Sequence, residues 1–468
     1  MPAISARERI ASLFDSFASF DHELTAEDPI SFPGYPSERE SAATQTGESE
    51  AVVTGVATIG DRQMVAAVFE FGFMGGSMSR AVGDRIEKAM EEAEQRRISF
   101  LAVTSSGGAR MQEGMAALSQ MPRTVAASAR LAKAGIPRIA ILCHPTTGGA
   151  YASFASLSDF IAAEKGATIG FAGPRVVEAM TGAELPQGSH TAEEALKFGL
   201  VDSVLEANQM KPWLASLLSI LARSETGGAG SPNAATSPGS PRSAWDLYQS
   251  IRSEDRPGPG AFLEAISEEM FVLHGDRMGS DDPAISIGLA QASGQRFCFV
   301  TMGRGNPTAS GFRKARRAID LAGRLDLPLV TAIDTSGADP SHSSEYSGLA
   351  GEIARTFEAM IACPSRTVCL VSGEGGSGGA LALAPADVLV MHEESVFSVI
   401  APEGAAAILY RDATRAPEVA EALRPTPQDL QSLGIIDAVV RGRDAGWLGP
   451  ALAGPPLTAR RTQRFKSA

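Results

Sequence analysis

Four glycine-rich turns are the part of this sequence whose residue types and spacing are most suited to chemistry. Their sequences are SSGGAR at 105–110, TTGGAY at 146–151, TSGADP at 335–340 and GGSGGA at 375–380. Each turn follows an apolar run and precedes a stretch with helical periodicity, which predicts a position between a strand and a helix. Glycines there leave backbone N–H groups uncovered, and the helix dipole adds partial positive charge. Such turns can hold an oxyanion without an ionised side chain. The alternative is that the glycines only allow a helix to pack closely on a strand.

The two halves of the chain repeat one pattern of elements. The first half has apolar runs from Phe100 to Thr104 and from Pro137 to Cys143, and the second half has them from Pro328 to Ile333 and from Arg366 to Val371. A glycine turn and a helical stretch follow in each case. This order is typical of right-handed crossover units on a parallel sheet. The sequence therefore predicts two similar α/β domains.

The spacing of the glycines supports this duplication. Gly107 and Gly148 are 41 positions apart, and Gly337 and Gly376 are 39 positions apart. The glycine turns of the two halves therefore lie at matched positions.

An amphipathic helix is predicted upstream of the turns in each half, and a linker is predicted between the halves. The first helix has Val82, Ile86, Met90 and Ala93 on one face, and the second has Phe312, Ala315, Ile319, Ala322 and Leu325. Residues 224–242 are mostly Gly, Ser, Pro, Ala and Thr with no large apolar side chain, which indicates a flexible linker. The predicted domains are therefore 1–223 and 243–468. The polar stretch from Gly34 to Glu50 is predicted to be a loop.

Composition excludes several classes of function. The formal charge of −13 is unsuited to binding nucleic acid, because phosphate binding needs a basic surface. The four cysteines form no CxxC pair, so we expect neither a disulfide framework nor a metal site. The sequence has no apolar run long enough to span a membrane, and its beginning does not resemble a signal peptide. A cytoplasmic location is expected.

A serine hydrolase is one alternative that the residues leave open. Residues Gly375 to Gly379 fit the G-x-S-x-G pattern between a predicted strand and a predicted helix. Ser377 would then be the nucleophile and His392 a candidate base. The first-half turn has no serine at the position that we expect to be equivalent, which favours chemistry of the backbone over chemistry of a hydroxyl.

The motifs resemble those of a known family, the carboxyltransferase of bacterial acetyl-CoA carboxylase. The first half resembles its β subunit through FEFGFMGGSMSRAVG (69–83), SSGGARMQEG (105–114), PTTGG (145–149) and IGFAGPRVVE (169–178). The second half resembles its α subunit through HGDR (274–277), GFRKARRAI (311–319), IDTSGADP (333–340), GEGGSGGALAL (373–383) and FSVIAPEGAAAILY (397–410). The resemblance covers nearly the whole chain outside the linker and the two ends.

The resemblance implies a fold and a reaction. It implies an α/β fold of two tandem crotonase-like (ClpP/crotonase) domains built from ββα-type superhelical repeats. It also implies transfer of CO₂ from carboxybiotin, on a separate carrier protein, to the α-carbon of acetyl-CoA or a related acyl-CoA. In such a reaction the biotin ureido anion takes the α-proton, and the thioester enolate attacks CO₂. Two oxyanions then develop, and two sets of backbone donors are needed.

The resemblance also implies roles for particular residues. The catalytic donors would be Gly148 and Gly149 in the first half and, as their counterparts, Gly375 and Gly376 in the second. The resemblance likewise makes Gly337 and Ala338 the counterparts of Gly107 and Gly108. The acyl-CoA site would include Gly107, Gly108, Arg110 and Arg175, and the biotin site would include Gly337, Ala338, Gly378 and Gly379. For Arg110 and Arg175, contacts with CoA phosphates and ion pairs within the protein are equally open alternatives.

The partners expected from the resemblance follow from what the sequence lacks. It contains no ATP-grasp domain and no AMKM-like biotinylation site, so we expect that this chain does not bind ATP and works with a separate biotin carboxylase and biotin carrier protein. A homodimer is expected. The four cysteines of the family's zinc ribbon are missing, so no zinc is expected. Ser336 and Asp339 replace a proline and an aromatic residue of the family, which leaves the acyl group open. A malonyl-type decarboxylase and a non-catalytic scaffold remain as alternatives.

Overall fold

The structure is a computed structural model that describes residues 4–20, 28–182, 184–222, 242–253, 256–292, 294–442 and 446–466. The chain divides into two units, Met1–Ala222 and Arg223–Ala468. Of the predicted linker, 224–242, only Arg242 at its end is among the described residues. Each unit is described separately below.

The first unit is built on an eight-stranded sheet. The strands are β1 (Ser16–Ser19), β2 (Val52–Ile59), β3 (Arg62–Phe69), β4 (Ser99–Ser106), β5 (Arg138–Thr147), β6 (Phe160–Glu164), β7 (Ile169–Gly170) and β8 (Ser203–Leu205). Their order is β1-β2-β3-β4-β5-β6-β8, and β7 pairs with the end of β5. The pairs from β3 to β8 are parallel, whereas β1, β2 and β3 pair antiparallel. The predicted parallel sheet is therefore confirmed and carries an antiparallel edge.

Helices cover this sheet. They are α1 (Ala6–Leu13), α2 (Tyr35–Thr46), α3 (Arg80–Arg96), α4 (Met115–Leu118), α5 (Gln120–Lys133), α6 (Gly148–Ala150), α7 (Pro174–Thr181), α8 (Ala192–Lys197) and α9 (Ala207–Leu221). Short 3₁₀ turns at Met74–Gly76 and Met111–Glu113 and a π turn at Tyr151–Ala155 complete the unit. Ser79 caps the N-terminus of helix α3, and its hydroxyl accepts the N–H of Val82. Its predicted apolar face is buried, and it packs with α5 against the sheet.

The second unit repeats this order. Its strands are β9 (Glu269–Leu273), β10 (Ile285–Ala292), β11 (Gln295–Met302), β12 (Leu329–Thr335), β13 (Thr367–Gly376), β14 (Val388–His392), β15 (Val396–Ser398) and β16 (Ala438–Val440). They run in the order β9-β10-β11-β12-β13-β14-β16, with β15 beside β13. Every strand of the first sheet therefore has a counterpart at the same place in the second. The predicted duplication is confirmed.

The helices of the second unit include the predicted amphipathic one. They are α10 (Ala244–Ile251), α11 (Pro259–Ile266), α12 (Ala309–Leu325), α13 (His342–Tyr346), α14 (Leu349–Ala362), α15 (Ser377–Leu381), α16 (Pro402–Tyr410), α17 (Ala416–Ala422), α18 (Pro427–Ser432), α19 (Leu448–Leu452) and α20 (Thr458–Gln463), with a 3₁₀ turn at Ala413–Arg415. The predicted face of α12 is buried except for Leu325, which is half-buried. No helix in the described ranges is both long enough and apolar enough to cross a bilayer.

One prediction of local structure was wrong. The stretch from Gly34 to Glu50 is not a loop throughout, because it contains helix α2. Gly34 precedes the helix in a left-handed conformation, and Pro36 lies in its first turn, where a missing N–H costs nothing. The polar residues that suggested a loop are mostly on the exposed side of α2, whereas Tyr35 and Ala42 are buried.

The C-terminal helix α20 is fixed to the second unit by a buried ion pair. The Arg461 and Asp387 side chains are both fully buried, and the Nε and Nη2 atoms of Arg461 donate to the two carboxylate oxygens at 2.7 and 3.0 Å. The remaining N–H groups donate to main-chain carbonyls of residues Met360, Ile361, Cys363 and Ser365. A buried charge pair of this kind is costly to break, because removing one partner leaves the other charge uncompensated.

We therefore expect Arg461→Met to lower the free energy of unfolding of the second unit by about 3–5 kcal/mol, because Asp387 would remain buried without a counter-charge. The neighbouring Arg460→Met is the matched control. Arg460 also pairs with an aspartate, Asp437, but its side chain is half exposed, and we expect its loss to cost less than about 1 kcal/mol. Urea unfolding followed through the fluorescence of the buried Trp447 measures both. Equal losses in the two variants would contradict the prediction.

Candidate active site

In the first unit, the two glycine turns touch each other through bare backbone. A Cβ atom added to Gly148 would lie 2.7 Å from the Gly108 Cα, and one added to Gly108 would lie 3.5 Å from the Gly148 Cα and 3.7 Å from the Gly149 N. Both Gly108 (φ +119°) and Gly148 (φ +59°) have backbone conformations that favour glycine. The turn after β4 and the turn after β5 are therefore in direct contact, and no side chain stands between them.

Most N–H groups at this contact already have partners. Gly107 donates to the Gly75 carbonyl at 2.9 Å, Gly108 to the Ser106 Oγ at 3.1 Å and Gly148 to the Phe171 carbonyl at 2.9 Å. Gly149 is in the first turn of a helix, where N–H groups lack intrahelical acceptors. No acceptor for its N–H is found among the residues that the structure describes. The Gly149 N–H is therefore the donor available for an oxyanion here.

The second unit has the same contact with different residues. A Cβ atom added to Gly337 (φ +142°) would lie 3.9 Å from the Ser377 Cβ and 3.5 Å from the Gly376 carbonyl oxygen. Ser377 follows β13 with φ +60°, almost the value of Gly148. Gly378 comes next and is exposed, and no atom lies within 4 Å of a Cβ placed on it.

The register of the strands shows which residues correspond, and it corrects the predicted pairing. Ser106 pairs with Thr146 after an irregularity in the β4–β5 ladder, and Thr335 pairs with Gly375 after an irregularity at the same place in β12–β13. Thr147 pairs with Gly170, as Gly376 pairs with Ser398. Counted from these pairs, Gly148 corresponds to Ser377, Gly149 to Gly378 and Gly108 to Gly337. Both turn-to-turn separations, from 108 to 148 and from 337 to 377, are then 40 positions.

Gly375 and Gly376 are therefore not the counterparts of Gly148 and Gly149. They are buried residues of β13, and a Cβ on each would meet the Phe397 ring at 2.6 Å and the Ser336 carbonyl oxygen at 2.0 Å, respectively. Their role is to allow close packing. Gly379 has a similar role, because a Cβ there would lie 2.6 Å from the Ala338 N.

A buried ion pair holds the first-unit turn. The Arg110 side chain, only 1% exposed, donates to both oxygens of Glu50 at 2.6 and 2.9 Å. It also donates to the Ser77 Oγ and carbonyl oxygen at 3.0 Å and to the Tyr35 hydroxyl at 3.2 Å. All five N–H groups of the guanidinium are thus used.

Tyr35 extends this network to the far side of the turn. Its hydroxyl donates to Glu113 Oε1 at 2.5 Å, and Glu113 Oε2 accepts the Arg80 N–H at 2.7 Å. Burial raises the pKa of Tyr35, so its hydroxyl remains a donor at every physiological pH. Sequence reasoning missed Tyr35 and Glu50, because both belong to the segment predicted as a loop.

The second-unit turn has a comparable support. The Asp334 side chain is buried and accepts the Arg256 Nη2 at 2.5 Å and the Glu374 N–H at 2.9 Å. Asn306 donates to the Gly337 carbonyl oxygen at 2.9 Å. In both units, then, an ion pair with a buried carboxylate fixes the backbone on which the glycine contact depends.

Comparisons with known proteins show to which family the chain belongs. The model of the "carboxyl transferase domain" family matches residues 19–223, and that of the "acetyl co-enzyme A carboxylase carboxyltransferase-like" family matches residues 240–447. The acetyl-coenzyme A carboxylase carboxyl transferase subunits beta/alpha of Salinispora arenicola are 42% identical over 464 residues, which cover 93% of this chain and 82% of the relative. The chain belongs to the carboxyltransferase family of biotin-dependent acyl-CoA carboxylases.

A further relative and two solved structures are also similar to this carboxyltransferase. The probable biotin-dependent acyl-coenzyme A carboxylase beta3 subunit of Mycobacterium tuberculosis is 36% identical over 434 residues, covering 91% of this chain and 86% of the relative. The transcarboxylase 12S structure with methylmalonyl-coenzyme A and methylmalonic acid bound superposes with a TM-score of 0.76 at 25% identity, covering 98% of this chain and 88% of that one. A single-chain, multi-domain long-chain acyl-CoA carboxylase superposes with a TM-score of 0.75 at 19% identity, covering 95% of this chain and 46% of that one. The predicted fold of two tandem crotonase-like domains is confirmed.

The two arginines predicted at the acyl-CoA site have different outcomes. For Arg110 the structure shows the ion pair, which is one of the two alternatives left open, because every donor of its guanidinium is bound within the protein. Arg175 lies in α7, and its side chain is outside the described residues. A pocket of about 390 Å³ at the first-unit turn is nevertheless large enough for part of a substrate. Its lining consists of Glu38, Met74, Gly75, Ser77, Gly107, Ala109, Arg110, Met111 and Gln112.

The histidines near the turns have structural roles in this carboxyltransferase. His144 Nδ1 accepts the Thr168 N–H at 3.2 Å, and burial lowers the pKa of His144. His392 Nδ1 accepts the Glu394 N–H, and its Nε2 lies 3.2 Å from the Gly442 carbonyl oxygen. Both ring nitrogens of His392 are therefore occupied. Within the described ranges, no cluster of three His, Cys, Asp or Glu side chains is arranged to hold a metal ion.

We expect Gly148→Ala to reduce the rate of carboxyl transfer about 100-fold, because its Cβ would force the two first-unit turns apart and displacements near 1 Å are that costly in active sites. Steady-state kinetics measure this, with circular dichroism to show that the fold is kept. Gly173→Ala is the matched control, since Gly173 has φ −62° and no atom within 4 Å of an added Cβ. Similar rates for the two variants would show that the contact between the turns is unimportant.

Proposed function

We propose that this chain transfers the carboxyl group of carboxybiotin, held on a separate carrier protein, to the α-carbon of acetyl-CoA or a closely related acyl-CoA. The observation that supports this most strongly is the matched pair of turns, each offering an N–H group at the start of a helix, at Gly149 and at Gly378. Carboxyl transfer generates two oxyanions, so a duplicated donor is what the reaction needs. The names of the relatives support the choice of acyl-CoA.

The first unit is proposed to bind the acyl-CoA. Its turns, with Gly107, Gly108, Gly148 and Gly149, border the pocket of about 390 Å³ or lie beside it. The Gly149 N–H would donate to the thioester oxygen, and this hydrogen bond strengthens as negative charge develops there. Arg110 does not contact the substrate in this proposal; it positions the turn through Glu50 and Tyr35.

The second unit is proposed to bind biotin. When bound, carboxybiotin supplies the CO₂ and, as the ureido anion, the base for the α-proton. The residues fit such a ring, because Gly378 is exposed and has open space where a side chain would be. Its N–H would donate to the ureido oxygen. Gly337 and Ala338 form the opposing turn, and Gly379 allows that turn to approach closely.

The structure makes the hydrolase alternative more specific, but it does not favour it. Ser377 occupies a strand-to-helix turn at φ +60°, which is the conformation that a nucleophile elbow requires. A nucleophilic serine also needs a base within hydrogen-bonding distance. No such partner of the Ser377 hydroxyl is found among the described residues, and both nitrogens of His392 are bound elsewhere.

The proposed function predicts biotin-dependent decarboxylation of malonyl-CoA, the reverse half of the reaction. Replacing Gly149 or Gly378 by valine should reduce this rate at least about 100-fold, because the added side chain would cover the N–H donor. Gly378→Val is preferred to a change at Gly376, where any Cβ meets backbone at 2.0 Å and the fold itself would suffer. Ser377→Ala is the control and should retain the rate.

The outcomes of this assay separate the alternatives. Loss of activity in Ser377→Ala with an unchanged fold would favour the hydrolase. Turnover that does not depend on biotin would indicate a simple decarboxylase. Absence of turnover with every acyl-CoA tested would indicate a non-catalytic scaffold.

We further propose that the chain forms a homodimer in the cytoplasm and works with a separate biotin carboxylase and biotin carrier protein, without nucleic acid or membrane as a partner. Helix α16 supports self-association, because it exposes Ile408 and Leu409 at 72% and 65%. Four unpaired cysteines suit a reducing compartment.

Light scattering at micromolar concentration should therefore give a mass of twice the chain's 48.7 kDa. The replacement of Ile408 and Leu409 together by aspartate should shift this mass to that of the monomer, since buried charges oppose association. A wild-type chain that is already monomeric would contradict the homodimer.

A further inference from the structure

Ser153 lies in the helical segment that follows the first-unit turn. The short helix α6 continues there into the π turn Tyr151–Ala155, and such turns are rare and are often found at functional sites. Ser153 is 1% exposed and has non-helical backbone angles, φ −131° and ψ −111°. Its hydroxyl donates to the Gly149 carbonyl oxygen at 2.6 Å. Ser153 is therefore bonded to the residue whose N–H is available for an oxyanion.

The second unit shows which bond this hydroxyl replaces. Counted from the matched turns, Ser153 corresponds to Ala382. Ala382 has helical backbone angles, φ −58° and ψ −26°. Its N–H donates at 3.1 Å to the carbonyl oxygen of Gly378, the counterpart of Gly149. A serine hydroxyl in the first unit therefore makes the bond that a main-chain N–H makes in the second.

Hydrogen bonds hold the peptide groups on both sides of the Gly149 donor. On one side, the Gly148 N–H donates to the Phe171 carbonyl oxygen at 2.9 Å. On the other side, the Gly149 carbonyl oxygen accepts the Ser153 hydroxyl. The peptide group between them carries the Gly149 N–H. The direction of this N–H therefore depends on the two peptide groups beside it.

The other contacts of Gly149 are less directional than the bond from Ser153. A Cβ atom added to Gly149 would lie 3.4 Å from the Met121 Sδ, and a thioether is flexible and only a weak acceptor. Ser153 itself is held in place by its neighbour. The ring of Phe154 is buried and stacks on that of Phe69, with the two centroids 6.3 Å apart. A rigid serine thus orients a glycine that has no side chain of its own.

We propose that Ser153 is a positioning residue, whose hydroxyl holds the Gly149 carbonyl so that the Gly149 N–H points at the thioester oxygen. The inference rests on the proposed function, because that function supplies the oxyanion. A donor that is oriented in advance stabilises a developing oxyanion more than it stabilises the neutral thioester. Ser153 therefore affects the turnover rate more than the binding of substrate.

The kinetics of Ser153→Ala in the full chain test this role in the biotin-dependent decarboxylation of malonyl-CoA. We expect kcat to fall about tenfold, the size of effect that the loss of one hydrogen bond produces, and KM to stay unchanged. Ser158→Ala is the matched control. The Ser158 hydroxyl also donates to a carbonyl oxygen in the preceding turn, that of Phe154 at 3.3 Å, but this bond lies farther along the chain from Gly149. Equal losses of kcat in the two variants, or a raised KM with an unchanged kcat, would overturn the proposal.

A double variant separates positioning from a general loss of structure. Gly149→Val covers the donor, so adding Ser153→Ala to it should cause little further loss of kcat. A further tenfold loss would show that Ser153 acts independently of Gly149 and would contradict the proposal. Circular dichroism follows the fold of each variant. If Ser153→Ala fails to fold while Ser158→Ala folds, the role of Ser153 is structural and the proposal is wrong.

Crystal structures of the wild-type chain and of Ser153→Ala need no turnover, so they separate failure of this inference from failure of the proposed function. We expect the peptide group between Gly149 and Ala150 to rotate in the variant. An unchanged Gly149 backbone would overturn the inference, whatever the kinetics. A rotated peptide group, together with a wild-type chain that has no biotin-dependent turnover, would support the role of Ser153 in holding Gly149 and contradict the proposed function.

Discussion

The direct contact between two strand-end turns is the constraint on which the rest of each unit depends. In the first unit, backbone meets backbone at Gly108 and Gly148, with no room for a Cβ atom. Such an approach brings a helix N-terminus next to an open turn, and in the first unit it leaves the Gly149 N–H without an acceptor among the described residues. The parallel register of β4 with β5, and of β12 with β13, places the two turns side by side. The sheet therefore acts mainly to bring two loops to one place.

Electrostatic support makes this contact rigid. The Arg110–Glu50 pair and the Arg256–Asp334 pair each use a buried carboxylate to fix a turn whose own residues have almost no side chains. Glycine turns lose more conformational freedom on folding than other turns. Hydrogen bonds from neighbouring side chains offset part of that loss.

The sequence predicted the secondary-structure elements well, but it predicted poorly which residues of the two halves are equivalent. Strands, amphipathic helices and the duplication were all predicted, because apolar periodicity is a local property of the chain. The matching of Gly148 and Gly149 with Gly375 and Gly376 was wrong because residues 373–379 contain five glycines, which makes several alignments look equally good. Backbone conformation shows that Ser377 is the residue equivalent to Gly148, because both have a positive φ. Glycine count alone does not reveal which residue has that conformation.

The role of Arg110 also could not be predicted from the residues near it in the sequence. Its partner Glu50 is 60 positions away, in a segment whose polar composition suggested a loop. A charged residue in a functional motif invites the interpretation that it contacts a charged ligand. Burial is what separates a ligand contact from a support, and burial of a charge depends on tertiary partners that periodicity does not show.

Position 377 is a serine where the first unit has Gly148. This difference affects which substitutions each unit can accept during evolution. The first-unit turns are so close that position 148 is closed to any other residue, whereas the second-unit turns already accommodate a Cβ at 377. A duplicated scaffold has therefore produced two sites with unequal freedom to vary. New side-chain chemistry can enter through the second turn, while the first is restricted to the chemistry of its main chain.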